Sequence, residues 1–228
     1  RQMLYGVSFF EREFGVRPRS LWLPDVFGYP GSLPGILVGC GLTNFFTCKL
    51  HWQARNEFPV NLFWWEGIDG SRLIAHIPRL RNMYNGVPDP EQLHIAWDNY
   101  RQKDVYPEVL MPFGYGDGGG GPTDDMLEFA ARAKRYPGVP DTRQGPEERY
   151  FDGARHAGAS LPSWVGELYL ETHRGTYTTH GEIKRANRKI ELALRDSEIL
   201  GALANLQGAQ VDLTPLQSAW SNLLLLQF

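Results

Sequence analysis

The chain reads as an α/β domain followed by an all-α segment, and three observations carry that reading. Through roughly the first 155 residues, short apolar runs bounded by Gly and Pro alternate with helical patterns, which argues a mainly parallel sheet. Residues 157–163, Ala-Gly-Ala-Ser-Leu-Pro-Ser, read as a linker. From Glu182 onward the only periodicity is helical. Composition agrees: 42% of the 228 residues are hydrophobic and 21% charged, enough for a packed core. A net charge of −3 gives no electrostatic case for nucleic acid or an anionic membrane, and no apolar run approaches a membrane span.

The elements follow in order. Leu4, Val7, Phe10 and Phe14 share one face of a helix over residues 1–14, stopped by Gly15. Ser20 to Leu23 is an apolar strand that Pro24 ends. Ser32 is placed to cap a short helix through Leu37, closed by Gly39 and Gly41. Asn44 to Lys49 reads as a buried strand with Lys49 at its polar end. Residues 61–77 read as a hairpin, Leu62–Ile68 and Arg72–Ile77, with Asp69-Gly70 as a type I′ turn. Asp89-Pro90 opens a helix through Trp97 and Tyr100. Glu108 to Phe113 is a further strand, running into Gly114-Tyr-Gly-Asp-Gly-Gly-Gly-Gly. Thr123 caps a helix with Asp124 and Asp125 in its first turn, ending at Pro137-Gly138. In the last region, Glu182 to Leu206 is a long amphipathic helix with Ile183, Ala186, Ile190, Ala193, Leu200 and Leu203 near one face and a Glu191–Arg195 pair at i,i+4. Thr214-Pro215 opens a second helix. Together they predict most of a three-helix bundle.

Asp25 lies on the loop after the first strand, where α/β folds place their chemistry, with Trp22 and Phe27 close by in sequence. The same position suits an Asp that forms an Asx-turn or caps the next helix. The glycine run around Asp117 removes side chains and lets a ligand approach the backbone. A phosphate loop competes weakly, because no Gly-Lys-Ser/Thr follows; a plain glycine turn bonded by its Asp is the other reading. Trp64 and Trp65 point to opposite sides of one strand, so at least one belongs to the core. His173 and His180 are seven residues apart, two helical turns, but no third ligand follows at a zinc spacing.

The stretches LWLPDVFGY (21–29), KLHW (49–52), FWWEGIDGSRLIAHIP (63–78), GYGDGGGGPT (114–123) and ELYLETHRGTYTTHGEIKRANRKIE (167–191) resemble, in this order, glycoside hydrolase family 38, the retaining α-mannosidases. The resemblance implies an incomplete, mainly parallel β/α-barrel-like catalytic domain over 1–158 and a truncated, three-helix-bundle-type middle domain over 164–228. It implies retaining hydrolysis of α-mannosides through a covalent glycosyl-aspartate, with zinc as cofactor and an α-mannoside oligosaccharide as partner. Asp25 takes the nucleophile's place and that of a zinc ligand. Asp117 is the acid/base candidate, although the better-studied branch has paired aspartates where this chain has Asp117-Gly118. Phe27, Lys49, Tyr84 and Asn85 are the substrate-binding candidates; for Lys49 a solvated strand end is the competing reading. The family's other zinc ligands, a His-x-Asp pair and a later His, are absent from these residues, so the isolated chain is expected to be inactive and to bind zinc weakly or not at all.

Two other classes are weighed beside this. A zinc-dependent polysaccharide deacetylase on a related scaffold would need a His-rich metal site, which the sequence lacks. A non-catalytic carbohydrate-binding or interaction module would use the same aromatics. Cys40 and Cys48 form neither a disulfide framework nor a zinc spacing, so two buried free thiols and a cytoplasmic location are expected. A homo-oligomer stays open. An Arg at residue 1 and an uncapped apolar run at the end predict a piece of a longer chain.

Overall fold

The computed structural model describes residues 1–81 and 84–227. The chain divides into two compact units, Val7–His173 and Arg1–Gly6 with the residues from Arg174 onward.

The larger unit is mixed α/β. Its five strands are β1 (Ser20–Trp22), β2 (Asn44–Phe46), β3 (Leu62–Glu66), β4 (Arg72–His76) and β5 (Ser163–Val165), in the spatial order β1-β2-β4-β3-β5. β1/β2, β2/β4 and β3/β5 are parallel; only β3/β4 is antiparallel. The mainly parallel sheet read from the sequence is therefore present. Both faces are covered, as parallel sheets require: Phe45, Phe46, Leu62, Phe63, Trp65, Leu73 and Ile74 are fully buried. Helix α1 (Gln2–Phe14) enters this unit; α2 (Leu33–Gly39), α3 (Pro90–Asp98), α4 (Asp124–Ala133) and α5 (Glu147–His156) lie within it.

Several elements differ from the sequence reading. The strand predicted over 44–49 stops at Phe46, and Lys49 sits in a 3-10 turn, Lys49–His51, buried rather than solvated. The hairpin turn is not type I′, because only Gly70 has positive φ (78°) and that turn needs two such residues; Asp69 instead accepts bonds from the Ser71 amide and hydroxyl. Ser32 precedes α2 without a side-chain cap bond. Residues 108–113 form no strand. Their only ladder contact among the described residues is a bridge between Gly86 and Phe113, and Pro107 and Pro112 each remove a donor. The linker predicted at 157–163 is a helical turn leading into β5, which pairs with β3. Cys48 is buried but Cys40 is half-buried; both are free. On α1 only Val7 is buried, while Leu4, Phe10 and Phe14 stay exposed. The caps at Asp89 and Thr123 form as read, each accepting an amide of the first turn.

In the smaller unit, α6 (Gly181–Leu206) and α7 (Thr214–Leu225) pack through Leu194, Trp220 and Leu223, with Tyr5, Leu216 and Ala219 around them. The predicted apolar face of α6 is not the buried one: Ile183, Ile190, Leu200 and Leu203 are exposed. The predicted Glu191–Arg195 pair is replaced by Arg188–Glu191 at 2.6 Å and Arg195–Asp196 at 2.8 Å. Among the described residues no helix is long and apolar enough to cross a membrane.

Candidate functional site

The larger unit gathers five of the residues singled out in the sequence at one end of β1 and β2. β1 ends because Pro24 has no amide hydrogen. The Pro24 carbonyl instead accepts the amides of Cys48 and Lys49, both at 3.1 Å. Those two bonds bring the loop after β2 against the loop after β1 and set Lys49 beside Asp25. Tyr29 braces the same corner, its hydroxyl lying 2.7 Å from the Leu23 carbonyl and 2.8 Å from the Thr47 hydroxyl.

Lys49 Nζ is 2.8 Å from Asp25 Oδ1, and its side chain is only 6% exposed against 38% for the carboxylate. The ammonium thus approaches the carboxylate from the protein side and leaves it open to solvent. It also lies 3.7 Å from the Trp52 ring centre and 5.4 Å from that of Phe27. Such cation–π contacts are strongest where water is excluded. Phe27 in turn stacks on His173 at 4.7 Å, and Trp52 lies 5.7 Å from the same imidazole.

The second carboxylate comes from the glycine run. Tyr84 Oη is 2.9 Å from Asp25 Oδ2 and 2.6 Å from Asp117 Oδ1. Those two oxygens are therefore at most 5.5 Å apart, the sum of the two bonds. Asn85 holds the same loop: its Oδ1 accepts the Gly116 amide at 2.6 Å, and its Nδ2 lies 3.4 Å from Asp117 Oδ2. Gly116 is needed here, since a Cβ would lie 2.4 Å from Asn85 Oδ1. Asp117 itself is left-handed, with φ of 54°. An aspartate tolerates that region at a cost, and such residues collect at functional sites. Hydrogen bonding to Asp117, then burial, then the bond to Asp25 all push the Tyr84 phenol upward, so it stays protonated across the working range.

Asp25, Lys49, Tyr84, Asn85 and Asp117 thus meet, with Phe27 beside them. Trp64 and Trp65 do not: Trp65 is fully buried and each indole donates to a backbone carbonyl, of Gly158 and Gly166 respectively. Two members were not singled out from the sequence. Trp52 was visible in KLHW, three residues after Lys49. His173 was weighed only as a metal ligand paired with His180, whereas it stacks on Phe27.

The residues present do not fit a complete zinc site. Among the described residues no three His, Cys, Asp or Glu side chains converge as a metal would need, and both oxygens of Asp25 already face protein partners.

Comparison with known proteins adds the following. Residues 1–167 match the family described as "Glycosyl hydrolases family 38 N-terminal domain", and residues 171–228 match the "Alpha mannosidase middle domain". Over its whole length the chain is 42% identical to human alpha-mannosidase 2C1, 39% to alpha-mannosidase G of Dictyostelium discoideum and 35% to alpha-mannosidase of Saccharomyces cerevisiae. It spans only 22%, 21% and 22% of those proteins. An alpha-mannosidase structure from Enterococcus faecalis V583 superposes with a TM-score of 0.54 at 18% identity, covering 72% of this chain and 19% of that one. That likeness bears on the fold alone.

Proposed function

Because the chain belongs to glycosyl hydrolase family 38, we propose that these residues supply the two-carboxylate centre of a retaining α-mannosidase, active in the longer protein that carries them. One observation carries the mechanism: the upper bound of 5.5 Å between an oxygen of Asp25 and one of Asp117. Retaining glycosidases hold their carboxyl groups about 5–5.5 Å apart, whereas inverting ones leave about 6.5–9.5 Å for a water.

Asp25 is the nucleophile. The ammonium of Lys49 keeps its charge compensated and fixes one oxygen, while Tyr84 orients the other. Asp117 is the acid/base. A phenol carries one hydrogen, so Tyr84 cannot donate to both carboxylates at once. With Asp25 facing the cation, the additional proton belongs on Asp117, which donates it to the leaving glycosidic oxygen. In the second half of the cycle Asp117 takes a proton from the incoming water, and Asp25 leaves the anomeric carbon. Asn85 sets the loop that carries Asp117, and Phe27 offers an apolar face beside the nucleophile. Zinc bound in the longer protein would supply electrostatic help in holding sugar hydroxyls; this chain would contribute Asp25 alone as a ligand, and the isolated chain is inactive in this reading. We further take the sheet as an arc of a β/α barrel over 1–158 and α6–α7 as two helices of a three-helix bundle in a domain beginning near 164. The parallel pairing of β1, β2 and β4 supports the first. The substrate is an α-mannoside oligosaccharide, and the free thiols support a cytoplasmic location.

The test is hydrolysis of an aryl α-mannoside by the longer protein, wild type and Asp25→Ala, with and without a chelator. Loss of turnover by at least about 10³-fold in the variant, and loss on chelation, is the expected result. Turnover that survives Asp25→Ala would sink the assignment of Asp25, and no turnover in the wild type with the mannoside still bound would favour a binding module.

A further inference from the structure

From the packing around the buried ammonium, we infer that Trp52 is a positioning residue for Lys49 and, through it, for Asp25; the inference rests on the glycosidase reading above. Trp52 is 48% exposed, so its conformation is not fixed by burial in the core. Its ring centre nevertheless lies 3.7 Å from Lys49 Nζ, closer than that of Phe27 at 5.4 Å. Lys49 is 5% exposed. A cation so enclosed needs every attractive surface it can reach, and an indole face is the strongest of the aromatic ones.

The backbone of Trp52 is tied down with unusual density for an exposed loop. Its amide bonds the Lys49 carbonyl at 3.0 Å, and its own carbonyl accepts the Thr172 hydroxyl at 3.0 Å. Directly after it, the carboxylate of Glu171 gathers the amides of Ala54, Arg55 and Asn56 at 2.8, 2.7 and 3.1 Å. Gln53 locks the same two segments reciprocally, donating to the Tyr169 carbonyl at 2.6 Å and accepting the Glu171 amide at 2.9 Å. Those amides, with the Asn56 side chain, hold the Glu171 carboxyl below its ordinary range. The clasp fixes the loop that carries Trp52 beside the ammonium.

The experiment compares Trp52→Leu, Trp52→Phe and Glu171→Gln with wild type and Asp25→Ala in the longer protein, measuring kcat, KM and thermal unfolding on an aryl α-mannoside. Trp52→Leu keeps bulk without a π face and is expected to lower kcat about 10–30-fold while KM moves less than about 3-fold. Trp52→Phe restores the π face and is expected within about 3-fold of wild type. Glu171→Gln turns one acceptor oxygen into a donor facing backbone amides, and is expected to lower kcat about 5–10-fold without touching the side chain of Trp52. Wild-type kcat in Trp52→Leu, or equal loss in Trp52→Phe and Trp52→Leu, overturns the inference. Should Trp52→Leu fail to fold, wild-type kcat in Glu171→Gln overturns it in the same way. Full activity in Asp25→Ala would instead bring down the assignment of Asp25 as nucleophile, on which the inference rests, which is how the two failures are told apart.

Discussion

Tyr84 is the residue on which the two carboxylates depend. Its hydroxyl reaches Asp25 and Asp117 at once, and neither carboxylate is fixed by burial. In the longer protein, Tyr84→Phe should lower kcat about 10²-fold with little change in KM, since the ring stays and only the orienting hydroxyl goes; an unchanged kcat would remove it from the mechanism. Two other residues predict a pH effect on stability. Burial lowers His51 from 6.5 to about 4, against the opposing bond to the Ile77 carbonyl, and lowers His76 from 6.5 to about 3. Between pH 6.5 and those values the unfolded chain binds protons that the folded chain does not, so stability is full above pH 6.5 and falls as pH drops toward 4. The loss should be on the order of a few kcal/mol. Urea midpoints at pH 7 and at about pH 4.5 check it, and equal midpoints would mean the histidines are not buried neutral.

At the scale of elements, the sequence was legible where a local rule decides. Asp89 and Thr123 cap their helices because an oxygen three residues before an amide suffices. β1 ends at a proline for an equally local reason. The failures are tertiary. Glu108 to Phe113 has a strand's composition but, among the described residues, no neighbouring strand to bond, and Ser163 to Val165 is a strand only because β3 pairs with it. A three-residue run between Pro162 and Gly166 carries no periodicity to read. Trp52 and His173 were missed because their roles come from packing between loops about 120 residues apart, whereas Asp25 and Asp117 stand in motifs. The Tyr84–Asn85 stretch and the 114–117 loop form one such packing, and Gly116→Ala tests it. Its Cβ would also lie 3.0 Å from the Tyr84 ring, so both neighbours must shift away from Asp117. Activity of the longer protein should drop about 10–10²-fold while the unfolding temperature stays near wild type. Wild-type activity would show that the loop yields without moving the carboxylate.

For the whole molecule, the chain spans about a fifth of its curated relatives (22% for the human protein), and its chemistry must be judged against that. Asp25 as a lone ligand is not a zinc site. Titration of zinc into the isolated chain should show no binding tighter than about 10⁻⁵ M, and micromolar or tighter binding at Asp25 would contradict the ligand count drawn here.

The sheet order β1-β2-β4-β3-β5 also bears on how the chain acquires its structure. β1 with β2, and β3 with β4, are neighbours in both sequence and space, whereas β5 joins β3 about a hundred residues later. During synthesis the Leu62–Glu66 strand, with two tryptophans and a phenylalanine, emerges long before Ser163–Val165 can cover its free edge. That exposed edge is a template for pairing with another nascent copy. Three inconspicuous residues, Ser163, Trp164 and Val165, therefore cover the apolar β3 edge, and until they are made that edge is open to pairing with another copy.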